Sequence, residues 1–191
     1  PHSGEDGPVY PGTCRNGPVG SRTERSLRLL VPDEQVTCRD LVFGDLQQNL
    51  QRELGDFVLR RADGLYAYQL AVVVDDIDSG VNQVVRGADL LSSTPRQSYL
   101  YRCLQQLEPS YYHLPLALGT DAEKLSKRHG RAGVISAENG GWALWHALEF
   151  LGQLPPRELQ AAPPSELLQW GMNNFAVNLI KPQPQAAPDL S

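Results

Sequence analysis

Two lysines three residues apart, with a serine between them, stand in the segment Lys124-Leu125-Ser126-Lys127-Arg128. Lysine is a compact cation on a flexible stem, suited to following phosphate charge as a bond breaks. Short Lys–Ser patterns are also common in plain solvated basic loops, so the pentapeptide alone allows both readings. Arg86 lies between an apolar stretch and Gly87. There a guanidinium can present a planar fork to a carboxylate, or form a surface ion pair with Asp75 or Asp76. Tyr68 taken alone is an aromatic of the ordinary kind, with its ring in the core and its hydroxyl in water. Tyr10 and Cys14 make a Tyr-x-x-x-Cys pair in a Gly/Pro-rich stretch, where a single cysteine is usually structural or incidental. Trp142 and Trp145 could stack bases, but helical spacing favours core packing. Arg22, Arg25 and Arg28 form either a phosphate-contacting edge or a solvated face.

The elements that must position these residues follow from pattern and punctuation. Residues Pro1 to Gly20 are dense in Gly and Pro, which predicts loop. Leu27–Val31 and Leu41–Phe43 are expected as small strands, and Asp56–Arg61 as another. Asp63-Gly64 is a tight-turn signal. The nearly continuous apolar run Leu65–Val74 suggests an element buried on both faces, as in a parallel sheet, with helix as an alternative for Tyr68–Val74. Gly80–Arg86 predicts a short strand. Thr94, Pro95 and Gln97 read as a capping box opening a helix through Leu100, Cys103, Leu104 and Leu107. His113–Leu118 is expected as one strand and Gly119–Gly133 as a polar basic loop. Trp142–Leu151 predicts a helix stopped at Gly152, and Ser165 is expected to cap a last helix. Strands alternating with helices indicate an α/β fold.

Composition narrows the function classes. The net charge is −5, the wrong sign for a protein that wraps nucleic acid non-specifically, though a local basic patch is still compatible. No apolar run reaches the roughly 20 residues that a membrane helix needs. No secretory signal is visible. Three widely spaced cysteines, Cys14, Cys38 and Cys103, are a poor disulfide framework, so a reducing cytoplasm is the expected location.

Taken in order, four segments resemble the glutamyl type of class I aminoacyl-tRNA synthetase. Tyr66–Asp76 is similar to the strand beneath that family's amino-acid pocket. Val85-Arg86-Gly87-Ala88-Asp89-Leu90-Leu91 with Thr94–Gln97 is similar to its arginine–glycine segment and the following helix. His113–Leu118 resembles the strand before the second signature. Lys124–Arg128 resembles that signature itself, KMSKS, with leucine for methionine and arginine for the last serine. The resemblance is strong over Asp56 to Gly133. It implies a Rossmann-like catalytic domain with an inserted small α+β subdomain. It further implies ATP bound through Lys124, Leu125, Ser126, Lys127 and Arg128, with Lys127 catalytic, and glutamate read by Arg86 and Tyr68. Mg2+ would assist. Val9–Arg15 resembles the second half of a Zn2+ site in the short members, which makes Tyr10 and Cys14 metal ligands and His2 a weak substitute for a missing one.

Two absences shape the remaining expectations. No HIGH-like signature is present, and the histidines are His2, His113, His129 and His146. The first strand–helix units and two zinc cysteines are therefore expected before Pro1, and these residues alone are expected to be inactive. Only about sixty residues follow the lysine segment, too few for a separate anticodon-reading domain. That favours the short branch of the family, which joins glutamate to queuosine in the anticodon stem-loop of tRNA(Asp), acting as a monomer. A piece of an ordinary glutamyl-tRNA synthetase and a non-catalytic tRNA-binding remnant are the alternatives. The expected organisation is 1–55, the end of the inserted subdomain; 56–135, the second half of the catalytic domain; 136–180, a helical segment; and 181–191, a disordered tail.

Overall fold

The computed structural model describes residues 3–4, 7–17, 25–119, 121–125 and 139–187. The chain divides into two compact units, Pro1–Val84 with Leu90–Tyr112, and Val85–Asp89 with His113–Ser191.

In the first unit the Gly/Pro-rich start is not all loop, because β1 (Ser3–Gly4) and β2 (Gly7–Pro8) pair antiparallel. β3 (Leu27–Leu29) pairs antiparallel with β6 (Phe57–Arg60). β4 (Gln35–Asp40) and β5 (Gly44–Asn49) form a six-pair antiparallel hairpin. Leu41-Val42-Phe43, expected as a strand, is instead the turn of that hairpin. Asp40 causes this: its buried Oδ1 accepts from Val42 N at 2.9 Å and Phe43 N at 2.7 Å. An aspartate bonding the backbone two and three residues on builds a turn, and Gly44 then supplies φ +82°. The short helix α1 (Leu50–Glu53) follows, with Asn49 and Glu53 capping reciprocally.

The run Leu65–Val74 is not a strand. Leu65 and Tyr66 are exposed, and α2 spans Tyr68–Asp78 with Val73 as its buried residue. Leu70, Val73 and Ile77, at i, i+3 and i+7, face the core formed by Val31, Val36, Leu50, Phe57, Leu100 and Tyr101. A one-sided stripe at that spacing is a helix, whatever the apolarity of the residues between. Gly80, at φ +67°, ends it. The Asp63-Gly64 turn forms as expected, with Gly64 N bonded to Arg61 O at 3.0 Å. Helix α3 (Thr94–Cys103) begins after Ser93, so Thr94 is its first residue rather than its cap. The Gln97 amide nitrogen donates to Gln69 Oε1 at 2.8 Å, and Gln69 Nε2 donates to Ser93 Oγ at 3.0 Å.

The boundary between units runs through β7 (Gln83–Gly87) and β8 (Ser110–Leu114), the last two strands of a sheet ordered β5-β4-β8-β7. β4 and β8 run parallel, with Asp40 opposite Tyr111. The stretch His113–Leu118 breaks into the end of β8 and a separate β9 (Ala117–Leu118). Pro115, lacking an N–H, cannot continue the ladder.

In the second unit α4 (Gly140–Phe150) packs on α5 (Pro164–Asn174) through Trp145, Leu148 and Leu167. Gly141 permits a close approach: a Cβ there would collide with Ala162 O. α4 ends at Gly152, as expected, at φ +74°. Ser165 is not the cap of α5; the helix opens at Pro164, whose fixed φ suits that position. Part of the tail expected to be disordered, β10 (Gln185–Ala186), pairs in parallel with β9.

Candidate active site

Arg86 is the penultimate residue of β7. Its Nε–H donates to Nε2 of His113 at 2.9 Å, and His113 is completely buried on β8. Accepting at Nε2 places the imidazole proton on Nδ1. Gly87 follows, and a Cβ at that position would collide with Oδ1 of Asp89. The glycine thus admits the Asp89 carboxylate beside the end of the strand. Asp89 Oδ2 accepts from Lys124 Nζ at 2.5 Å. That hydrogen bond, more than burial opposes it, holds the Asp89 carboxyl below the usual carboxylate range.

Lys124 occupies the returning arm of a small hairpin that starts at β9. Leu118 and Lys124 form an antiparallel bridge. Leu125 N donates to Ala117 O at 2.8 Å, and Gly119 N to Glu123 O at 2.8 Å. Asp121 Oδ1 accepts from Glu123 N at 3.0 Å. The arm is thus hydrogen-bonded back to β9 as far as Leu125, its last described residue. Ser126, Lys127 and Arg128 lie outside the described residues.

Tyr68 is the first residue of α2, 53% exposed, and belongs to the first unit, whereas Arg86 belongs to the second. The neighbouring Gln69 is tied to α3 through Gln97 and Ser93, which anchors the start of the helix that carries Tyr68.

Tyr10 and Cys14 are brought together by a turn in which Cys14 N donates to Tyr10 Oη at 2.9 Å. Tyr10 N donates to Leu54 O, and Gly55, at φ +73°, lies so close that a Cβ would collide with Tyr10 O. The Arg28 guanidinium stacks 4.0 Å from the Tyr10 ring centroid and donates to Asp56 O at 2.7 Å. Arg28 is thus packed against Tyr10, Arg25 is exposed, and Arg22 lies outside the described residues. Arg15 makes two 2.6 Å bonds to the carboxylate of Asp56, which is 4% exposed. The Arg15 hydrogen bond holds the Asp56 carboxyl below its ordinary range against the opposing effect of burial. Cys14 carries a free, exposed thiol. A closed zinc site needs four ligands, and among the described residues no three His, Cys, Asp or Glu side chains cluster for a metal. Tyr10 and Cys14 make at most half a donor set, and His2 lies outside the described residues.

Trp145 is core, as expected, with Nε1 donating to Pro156 O at 3.0 Å. Two residues escaped sequence reasoning. His113 was visible only as a histidine in an apolar strand, and Asp89 only as an acid three residues after Arg86. Neither carries a local signal of the partner it finds. No helix among the described residues is long and apolar enough to cross a membrane.

Comparison with known proteins places these features in a family context. The profile of the class I tRNA synthetases (E and Q), catalytic domain, matches residues 18–149. A Glutamyl-Q tRNA(Asp) synthetase of Thiobacillus denitrificans is 46% identical over 98% of the chain, which spans 62% of that relative. One from Geobacter sulfurreducens is 50% identical over 94% of the chain, which spans 59% of it. Among solved structures, a glutamate tRNA ligase from Elizabethkingia meningosepticum in complex with its amino acid superposes with a TM-score of 0.67. It is 22% identical, with 86% of this chain and 36% of that one covered, and so supports the α/β fold alone.

Proposed function

The chain belongs to the catalytic-domain family of the class I tRNA synthetases for glutamate and glutamine, and from that membership we propose that the protein carrying it activates glutamate with ATP and transfers the glutamyl group to queuosine in the anticodon of tRNA(Asp). The observation that carries this reading is 46–50% identity, over nearly the whole chain, to relatives named for that tRNA. The chain spans about three-fifths of those relatives, so the activity is proposed for the protein that contains it.

In this reading a glutamate carboxylate attacks the α-phosphorus of ATP and pyrophosphate leaves. A nucleophile of the queuosine base then attacks the activated carbonyl, and AMP leaves. Arg86, at the end of β7, reads a substrate carboxylate through its guanidinium, and Tyr68 helps orient the amino acid. Lys127 follows the developing phosphate charge, with Lys124, Leu125, Ser126 and Arg128 forming the rest of the nucleotide segment. The protein's contribution is positioning and charge stabilisation. Mg2+ would neutralise phosphate charge. Zn2+ has only Tyr10 and Cys14 as candidate donors here, and no step uses it. The reading further includes a monomer working in the cytoplasm, away from membranes.

The test is transfer of labelled glutamate to an isolated anticodon stem-loop of tRNA(Asp), which has no acceptor end. Labelling of the loop containing queuosine, and none of the same loop containing guanosine, is the expected result. If labelling instead requires full-length tRNA with its terminal adenosine, the protein is an ordinary glutamyl-tRNA synthetase and the queuosine reading fails.

A further inference from the structure

We propose that His113 is a positioning residue for the glutamate site: its neutral imidazole holds the Nε edge of Arg86, so that the substrate carboxylate is met end-on by the two Nη groups. The inference deepens the proposed reading of glutamate by Arg86 and rests on it. Both residues belong to the second unit. β8 buries Tyr111 and His113 at alternate positions, with Ser110 exposed and Tyr112 and Leu114 half-buried. An inward strand position is where an apolar side chain is expected. His113 puts an imidazole there, with 0% exposure. A buried polar ring costs desolvation unless its nitrogens are bonded. Nε2 meets that demand by accepting from Arg86 Nε–H at 2.9 Å, which a protonated ring, having only donors, could not do. A guanidinium is planar and delocalised, so fixing the direction of Nε–H fixes the plane and the place of both Nη groups. One bond from a strand thus removes freedom that half-buried Arg86 would otherwise lose on binding substrate. It also closes the side-on mode, in which a carboxylate takes Nε–H together with one Nη, and selects the end-on mode.

The full-length protein is compared with His113→Gln, His113→Asn, His113→Leu and Arg86→Leu. Glutamine carries its terminal oxygen as far along the side chain as Nε2 stands, whereas asparagine reaches only as far as Nδ1. Glutamate-dependent ATP–pyrophosphate exchange gives kcat and the KM for each substrate. His113→Leu and His113→Asn should raise the glutamate KM about tenfold, the scale of losing one hydrogen bond to a charged group. The ATP KM and kcat should stay close to wild type, and His113→Gln should recover most of the loss. A readout independent of turnover is the Arg86 Nε–H proton resonance, assigned by its absence in Arg86→Leu. Without substrate it should exchange slowly with water in the wild type and in His113→Gln, and fast in the other two histidine variants. Equally fast exchange in the wild type and His113→Leu overturns the proposal. Equal rises in both KM values also overturn it, because His113 would then be purely structural, as does a His113→Gln variant no better than His113→Asn. A glutamate KM unchanged in His113→Leu but raised in Arg86→Leu rejects the positioning role alone. A glutamate KM unchanged in Arg86→Leu rejects Arg86 as the glutamate ligand and the positioning role with it. Absence of exchange activity in the wild type rejects the proposed function, while the proton resonance still decides whether His113 holds Arg86.

Discussion

Arg86 commits its Nε–H to His113, so a carboxylate approaching through that side of the fork would compete with the imidazole. The wall of the proposed glutamate site therefore includes a buried histidine that orients the guanidinium. Replacing Arg86 with Leu should raise the glutamate KM far more than the ATP KM in pyrophosphate exchange; equal changes in both would point to general unfolding. Lys127→Ala should cost about 2–4 kcal/mol of transition-state stabilisation, the range for losing one preorganised group that meets developing charge. An unchanged exchange rate in that variant would remove Lys127 from the mechanism. Arg86 and the two lysines stood out in the sequence because charge beside glycine or serine in a recurring order is a local pattern. His113 and Asp89 did not, because their partners lie 27 and 35 residues away along the chain. Such pairings are fixed by how strands and hairpins meet.

Helix α2 shows what the order of residues alone leaves undecided at the level of an element. Leu65–Val74 is apolar enough to be a doubly buried strand, and only the spacing of Leu70, Val73 and Ile77 against the core selects the helix. The Leu41–Phe43 turn was hidden for a similar reason, its apolar residues masking the aspartate that folds it. Elements marked by glycine were read more closely, as at Gly64 and Gly152, whereas the strand break at Pro115 was missed. Close backbone approaches follow the same logic. At Gly55 a side chain would meet Tyr10 O with φ at +73°. Gly55→Ala should destabilise the protein by about 1–3 kcal/mol, the scale of strain at such a backbone conformation. Thermal denaturation measures this, and an unshifted melting temperature would show that the Tyr10 turn yields freely.

For the whole molecule, acidity offers a further handle. The folded-state pKa of Asp56 is lowered, chiefly by the Arg15 hydrogen bond. Its contribution to stability is therefore full above the unfolded aspartate value of about 3.9 and is lost as pH falls through the lower folded value. Asp56→Asn should flatten the acid limb of a stability-versus-pH curve below that point while leaving the slope near neutrality unchanged; an identical acid limb would place the proton uptake elsewhere. The α/β class and family were legible from the order of segments. The boundary inside β7 and β8 was not, because a division that cuts strands leaves no Gly/Pro-rich linker to read. A practical consequence attaches to β10. Because Gln185–Ala186 supplies the strand alongside Ala117–Leu118, trimming the protein at about Lys181 to obtain better crystals would strip the partner from the strand that leads into the lysine segment. A cleavable affinity handle joined directly to Ala187 would load the same seam, so the neater-looking preparation would be the one with the disturbed β9–β10 pairing.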